Sequence, residues 1–147
     1  MADPAVPAVA GLDREAIDPT SLLALARTDA DGALASFVGV VRDSQDGHEV
    51  LSLEYEAHEP MAVREMERLA ADAAGRWPIG RVLLRHRLGE VAVGDVSVVV
   101  VVAAPHRAEA LEACRWLIDS LKAEVPIFKK EYFADGTSEW VGEGPGF

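Results

Sequence analysis

The sequence has very little cysteine: Cys114 is the single one among 147 residues. One cysteine excludes an internal disulfide and is typical of a protein in a reducing compartment, so a cytoplasmic location is expected. Cys114 lies on the apolar stripe of a predicted helix, where it is expected to fill the core rather than to react. No group of Cys and His residues has the spacing of metal ligands, so neither a metal nor a cofactor is predicted.

Long apolar runs and basic residues are also scarce. No run reaches the roughly 18 apolar residues that a membrane-spanning helix needs, and the N-terminus lacks the cationic start of a secretory signal. Lys and Arg number 14 against 25 Asp and Glu, which gives a formal net charge of −11. This charge argues against nucleic acid as a partner, because phosphate backbones require a basic face.

Several common catalytic and nucleotide-binding motifs do not occur. The sequence has neither G-x-G-x-x-G nor G-x-x-x-x-G-K-[ST], which argues against the usual glycine-rich phosphate loops. It has no G-x-S-x-G nucleophile elbow, and no pair of carboxylates stands out for acid–base work. Any chemistry must therefore come from residues that are far apart in the sequence.

Lysine is restricted to Lys122, Lys129 and Lys130, whereas the other eleven basic residues are arginines. Because lysine can lose its proton and arginine cannot, this restriction indicates a site that uses amines. Two simpler interpretations remain open. Lys122 could extend from a helix end into solvent, where it also suits the helix dipole. Lys129 and Lys130 could be an edge-strand pair that prevents aggregation.

The valine run at residues 96–102 predicts a strand buried on both faces, since it is too apolar for an edge strand and too β-branched for a helix. Pro105 follows and is tolerated only in the first turn of a helix, so a helix is predicted from about residue 106 to 123. Its apolar stripe ends at Lys122 and comprises Leu111, Cys114, Leu117, Ile118 and Leu121. Pro126 ends the helix, and residues 127–133 are predicted to form a strand.

The rest of the chain completes an α-ββ-α-ββ-α-ββ order. The further predicted helices are 19–27 and 59–76, and the further strands are 33–41, 50–56, 81–88 and 138–141. Adjacent strand pairs predict an α+β fold, with antiparallel sheets and helices packed on one side. The length and the 50% apolar content predict one domain over residues 1–147, with the Ala/Pro-rich residues 1–12 flexible. His86, on an apolar strand face, is expected to be a core histidine.

Three residues outside the lysine set are candidates for binding an anion. His106 and Arg107 lie at a helix start, where free N–H groups and the dipole favour negative charge, and Arg42 ends a strand before a polar loop. Arg107 and Lys122 are 15 residues apart, or roughly 22 Å along a helix. They therefore serve different ligands, or a second copy of the chain supplies one of them. We favour a site shared across a twofold homodimer interface.

Four long segments carry a resemblance to a known family. They are GALASFVGVVR, LEYEAHEPMA, RWPIGRVLLRHRLGEVAVGD and VVVVVAAPHRAEALEACRWLIDSLKAEVPIFKKE, followed by Trp140-Val141. In this order they resemble the large, catalytic subunit of molybdopterin synthase over most of the chain. The resemblance implies an α/β hammerhead-like fold and an enzyme, a sulfurtransferase of molybdenum cofactor biosynthesis.

The resemblance also implies a reaction and partners. Such enzymes convert cyclic pyranopterin monophosphate to molybdopterin, with sulfur from the C-terminal thiocarboxylate of a small ubiquitin-like subunit that ends in Gly-Gly. The implied assembly is a heterotetramer, a homodimer of large subunits with a small subunit at each end. The implied catalytic residues are Lys122 and Lys129.

The residues implied to bind substrate are Val40, Val41, Arg42, His106, Arg107, Lys122, Lys129, Lys130 and Glu131. The family often has lysine where this chain has Val40, so a contact through an amine is not expected at that position. Two other functions remain open: a non-catalytic docking module for a ubiquitin-like carrier protein, and an enzyme that acts on another phosphorylated metabolite.

Overall fold

The computed structural model describes residues 9–141, and the structure of this part of the chain consists of three helices and nine strands. The helices are α1 (Pro19–Ala26), α2 (Glu59–Arg76) and α3 (Arg107–Glu124). The strands are β1 (Ala10–Asp13), β2 (Ala33–Val40), β3 (Ser44–Gln45), β4 (His48–Ala57), β5 (Val82–Arg87), β6 (Gly89–Ala92), β7 (Val96–Ala104), β8 (Ile127–Phe133) and β9 (Ser138–Trp140).

The valine-rich strand β7 lies inside the first sheet, which has the order β1-β5-β7-β2. Both β5 and β2 pair antiparallel with β7, and β1 pairs parallel with β5. Residues 98–104 are 0% exposed, which confirms the prediction of a strand buried on both faces. A strand of this kind needs an apolar cover on each side.

The three helices provide that cover from opposite sides. Helices α2 and α3 belong to the larger core with Val98, Val100 and Val102. Helix α1 packs on the other face, against Val99 and Val101. The α+β class with mainly antiparallel sheets is confirmed, but the helices do not all lie on one side, because alternate valines of β7 present two apolar faces.

The second sheet has five strands, in the order β3-β4-β8-β9 with β6 also paired to β4. In the antiparallel β4–β8 pair, Tyr55 lies opposite Lys129 and Leu53 opposite Glu131. Directly opposite residues project to the same face of a sheet. These four side chains therefore share one face, and Glu54 and Lys130, which are also opposite one another, share the other.

The N-terminal prediction is wrong for the residues that the structure describes. Ala10–Asp13 forms β1, and Ala10 is 5% exposed. The N–H of Leu84 donates to the carbonyl of Val9 at 2.7 Å, which continues the ladder beyond the strand. The remainder of the predicted flexible segment, residues 1–8, lies outside the described residues, as do residues 142–147.

Helix α3 differs from its predicted stripe at one position. Leu111 is 61% exposed, whereas Ala110 and Ala113 are buried with the remaining stripe residues. Cys114 is buried, and burial raises the pKa of its thiol to about 11, which agrees with a core-filling role. Within residues 9–141 none of the helices has the length and apolarity needed to cross a bilayer.

Candidate functional site

A cavity of about 440 Å³ lies where the two sheets and the end of α3 meet. One wall comes from the end of β2 and from Ser97 of β7. The opposite wall comes from the β3–β4 hairpin and the inner face of β4 and β8. The lining residues are Phe37, Val38, Gly39, Val40, Val41, Arg42, Ser44, Gln45, Val50, Leu53, Tyr55, Ser97, Lys122, Lys129 and Glu131.

A β-bulge shapes the first wall. The register passes from Gly39 opposite Val98 to Val40 opposite Val96, so Ser97 is the extra residue in β7. An extra residue breaks the ladder and redirects side chains. Val40, the first residue of β2 after the register shift, is 51% exposed and lies on the cavity wall.

The chain after the bulge is fixed by backbone hydrogen bonds and presents Arg42. Val41 donates its N–H to the carbonyl of Asp95 at 3.0 Å and accepts from the N–H of Gly94 at 2.8 Å. Arg42 is exposed, and its Nη2 donates to Oε1 of Gln45 at 2.9 Å. The guanidinium is thus directed along the hairpin that borders the cavity.

Lys129 supplies an amine from β8. Its side chain is 11% exposed, and its Nζ is 3.9 Å from Oε1 of Glu131, which is 7% exposed. The pKa of Lys129 is lowered, chiefly because burial penalises the charged ammonium; Glu131 opposes this shift, and the positive charges of Lys122 and Arg42 add to it. Three cations from three different elements therefore act on one another in this cavity.

Six of the predicted site residues line this single cavity: Val40, Val41, Arg42, Lys122, Lys129 and Glu131. Lys122 reaches it from the last turn of α3, as a half-buried side chain. The structure brings these residues together from β2, α3 and β8, although Arg42 and Glu131 are 89 positions apart in the sequence.

Lys130 and the pair of His106 and Arg107 lie elsewhere. Lys130 points to the outer face of β8, where its Nζ is 5.4 Å from the ring centroid of Tyr132 and 5.6 Å from that of Trp140. His106 and Arg107 are exposed at the N-terminal end of the 18-residue helix α3, at the opposite end from Lys122. One copy of the chain does not bring them to the cavity.

Sequence reasoning missed Tyr55 and Ser97 as cavity residues. Tyr55 is 2% exposed, and burial raises its pKa to about 12 although its side chain shares a hydrogen bond with Ser97. The ring of Tyr55 meets that of His86 edge to face, at a centroid distance of 4.8 Å. Ser97 is the one polar residue inside the valine run, and this interruption is the signal that could have identified it.

His86 lies behind Tyr55 and is fully buried. Its Nδ1 is 2.7 Å from the carbonyl oxygen of Arg87, and burial lowers its pKa to about 4. Both rings are therefore neutral near pH 7. The prediction of a core histidine at this position is confirmed.

The fold and the site define a class: an α+β protein with two sheets that enclose a cationic cavity. Comparison with known proteins identifies the family. The model of the MoaE protein family matches residues 12–124, and this chain belongs to that family. A relative from Nostoc sp. (strain PCC 7120 / SAG 25.82 / UTEX 2576), named molybdopterin synthase catalytic subunit, is 49% identical over 122 residues, which cover 82% of this chain and 74% of the relative.

Solved structures agree with this assignment. Molybdopterin synthase from Staphylococcus aureus superposes with a TM-score of 0.86 and 32% identity, over 90% of this chain and 96% of that one. One chain of the protein–protein complex of subunits 1 and 2 of molybdopterin-converting factor from Helicobacter pylori 26695 superposes with a TM-score of 0.77 and 26% identity, over 92% of this chain and 92% of that one. The predicted family, fold class and enzymatic role in molybdopterin synthesis are confirmed.

Proposed function

We propose that this protein catalyses the conversion of cyclic pyranopterin monophosphate to molybdopterin, with sulfur from the thiocarboxylate of a small ubiquitin-like partner that ends in Gly-Gly. The observation that carries the proposal is the convergence of Arg42, Lys122 and Lys129 on one cavity. Both the substrate phosphate and a thiocarboxylate are anions, and a cationic cavity on an otherwise acidic chain attracts them locally.

Each cation has a distinct role in this reaction. Arg42, exposed beside the hairpin, binds an anionic oxygen group through its planar guanidinium. Lys129 exchanges a proton more readily than an ordinary lysine because its pKa is lowered. With Lys122 it transfers protons as the thiocarboxylate sulfur adds to the substrate and oxygen leaves as water. Hydrolysis of the acyl–sulfur bond then leaves the sulfur on the substrate and returns the partner's terminus as a carboxylate.

A partner subunit supplies the sulfur. Molybdopterin-converting factor from Helicobacter pylori 26695 forms a complex of two subunits, and this chain resembles one of its chains over most of its length. We assign the same kind of assembly to this protein, with the tail of the partner entering the cavity beside Lys122 and Lys129.

A second copy of the chain completes the site. His106 and Arg107 cannot reach the cavity of their own chain, because roughly 22 Å of helix separates Arg107 from Lys122 at ~1.5 Å per residue. In a twofold dimer each helix α3 contributes Lys122 to its own cavity and His106 and Arg107 to that of the partner subunit. The dimer and the small subunits together form a heterotetramer.

The direct test is turnover by purified Lys122→Ala with a thiocarboxylated partner. We expect product formation to fall at least a hundredfold, the lower end of the range for a general acid–base group, while partner binding is retained. Arg115→Ala is the matched control, since Arg115 is a cation on the same helix with a side chain that is 86% exposed. Near-normal turnover by Lys122→Ala contradicts the assignment. A wild-type protein that binds the partner without any turnover would instead support a docking module.

The shared site has its own test. Inactive Lys122→Ala and inactive Arg107→Ala proteins are mixed and allowed to exchange subunits. A mixed dimer then has one cavity with both native contributions, so activity returns to about a quarter to a half of the wild-type value. If mixed dimers are confirmed by mass spectrometry and no activity returns, each cavity is built from a single chain.

A further inference from the structure

Ser97 occupies an unusual place for a polar residue. It is 3% exposed within β7, where it lies between valines as the extra residue of the bulge, and it lines the cavity. A Cβ atom added at Gly39 would lie 3.1 Å from Oγ of Ser97. The missing side chain at position 39 therefore leaves room for the hydroxyl of Ser97 at this point of the sheet.

Tyr55 approaches Ser97 from the other sheet. It lies on β4, directly opposite Lys129 in the β4–β8 register, and its side chain shares a hydrogen bond with Ser97. Because Ser97 belongs to the first sheet and Tyr55 to the second, this bond joins the two sheets at the cavity. Both residues are almost completely buried, where polar groups pair with protein partners rather than with bulk water.

We propose that Tyr55 and Ser97 form a positioning pair, with a hydrogen bond between the two sheets that holds Lys129 at the working position in the cavity. The expected effect of this pair on turnover rests on the proposed function, whereas its expected effect on the position of Lys129 does not. The ring of Tyr55 belongs to the apolar core and Ser97 interrupts a run of valines, so neither hydroxyl is needed to fill the core. The paired hydroxyls instead fix the distance between the sheets.

The charged and titratable groups around Lys129 come from four elements. Arg42 acts from the end of β2, Lys122 from α3 and Glu131 from β8 itself, while Tyr55 faces it from β4. Burial is the main cause of its lowered pKa. If the sheets separate, water reaches the ammonium group, and its pKa rises toward the ordinary value for lysine.

The first measurement compares turnover by Tyr55→Phe, Ser97→Ala and the double variant. Each single change removes the same hydrogen bond, so each should lower kcat about tenfold, which equals about 1.4 kcal/mol in the barrier, with KM changed less than twofold. The double variant should be no worse than either single variant. Two outcomes would contradict the proposed pair. In one, the double variant loses kcat by the product of the two single losses; in the other, both single variants keep the wild-type kcat.

Tyr132→Phe is the matched control. Tyr132 is the other tyrosine of the chain, and its hydroxyl donates to Oε1 of Glu54 at 3.2 Å on the outer face of the same sheet. This variant loses a hydroxyl from the sheet without touching the cavity, so kcat should stay within twofold of wild type. A tenfold loss in this control would show that any lost tyrosine hydroxyl disturbs the sheet.

The second measurement needs no turnover. The rate of acetylation of Lys129 is followed against pH by peptide mass spectrometry, in a Lys130→Arg background that removes the neighbouring amine. We expect the midpoint to rise by about half a pH unit or more in Tyr55→Phe and in Ser97→Ala, and to stay fixed in Tyr132→Phe. Ser97→Thr, which keeps a hydroxyl, should restore the wild-type midpoint.

An unchanged midpoint in both Tyr55→Phe and Ser97→Ala would overturn the positioning role, even if turnover falls. If the wild-type protein gives no molybdopterin with the thiocarboxylated partner, the proposed function fails, while the labelling result still decides whether the pair positions Lys129.

Discussion

The neighbouring lysines Lys129 and Lys130 lie on opposite faces of β8 and have different surroundings. Lys129 points inward, beside Glu131, to a cavity between the sheets, with a side chain that is 11% exposed. Lys130 points outward, where its ammonium lies near the rings of Tyr132 and Trp140. One step along a strand reverses the direction of the side chain, so adjacent residues of the same type have different chemistry.

The difference lies in what stabilises each charge. On the outer face, aromatic rings attract the ammonium of Lys130 while solvent remains within reach. On the inner face, Lys129 has lost most of its water, and the carboxylate of Glu131 only partly offsets the loss, so that its pKa is lowered. A buried amine with two further cations nearby is suited to giving up a proton, whereas the outer lysine is suited to holding Trp140 against β8.

The largest expected effect is the difference in turnover between the Lys129→Ala and Lys130→Ala variants. Lys129→Ala should lower turnover by about a hundredfold or more, as expected for a proton-transfer group, and Lys130→Ala should lower it far less. The measurement is initial velocity with saturating thiocarboxylated partner. Equal losses in the two variants would contradict the comparison between the faces and would return Lys130 to the substrate-binding residues that the resemblance implied.

The second prediction concerns pH and stability. Because the pKa of Lys129 is lower in the folded chain than the ordinary pKa of a lysine, the unfolded state binds more protons between the folded and unfolded pKa values. The stability of the wild type relative to Lys129→Met should therefore increase as pH rises through this window, and level off above it. Urea unfolding at several pH values measures the difference. A difference that falls with rising pH would mean that Lys129 is stabilised as a cation.

The smallest expected effect lies on the outer face. Trp140→Ala should lower the free energy of unfolding by about 0.5–1 kcal/mol through the lost contact with Lys130. The apolar contacts of the partly exposed ring are also lost. Tyr55 and the cavity should be unaffected, so turnover should remain within twofold of wild type. A loss of turnover comparable to that of Lys129→Ala would show that the outer face also contributes to the site.

Features with a local signal were predicted well from the sequence. The bounds of α2 follow from Glu59-Pro60 at its start and Pro78 just after its end, and β8 agrees with the predicted residues 127–133. The dipeptide Asp135-Gly136 is a local signal of a hairpin turn, and Gly136 has a φ of 89°. Glycine tolerates such an angle at little steric cost.

Features that depend on distant contacts were not predicted. Strand β1 exists because Ala10–Asp13 pairs in parallel with a strand more than 70 residues later, and the four-residue strand β6 depends on pairing with β4. The hydrogen bond of Tyr55 with Ser97 joins two sheets that no sequence pattern relates. The opposite directions of Lys129 and Lys130 follow from strand alternation, but the family resemblance grouped both lysines together.

Ser97, the extra residue in β7, interrupts the pairing of β7 with β2 and at the same time contributes a hydroxyl group to the cavity. A chain that lost Ser97 by a single-codon deletion could pair β7 with β2 without interruption. The repaired ladder would then present Val40 and Arg42 to new surroundings and would leave Tyr55 without its hydrogen-bonding neighbour. One extra residue therefore determines both where Arg42 lies and whether Tyr55 has a hydroxyl neighbour, so a single deletion would change both at once.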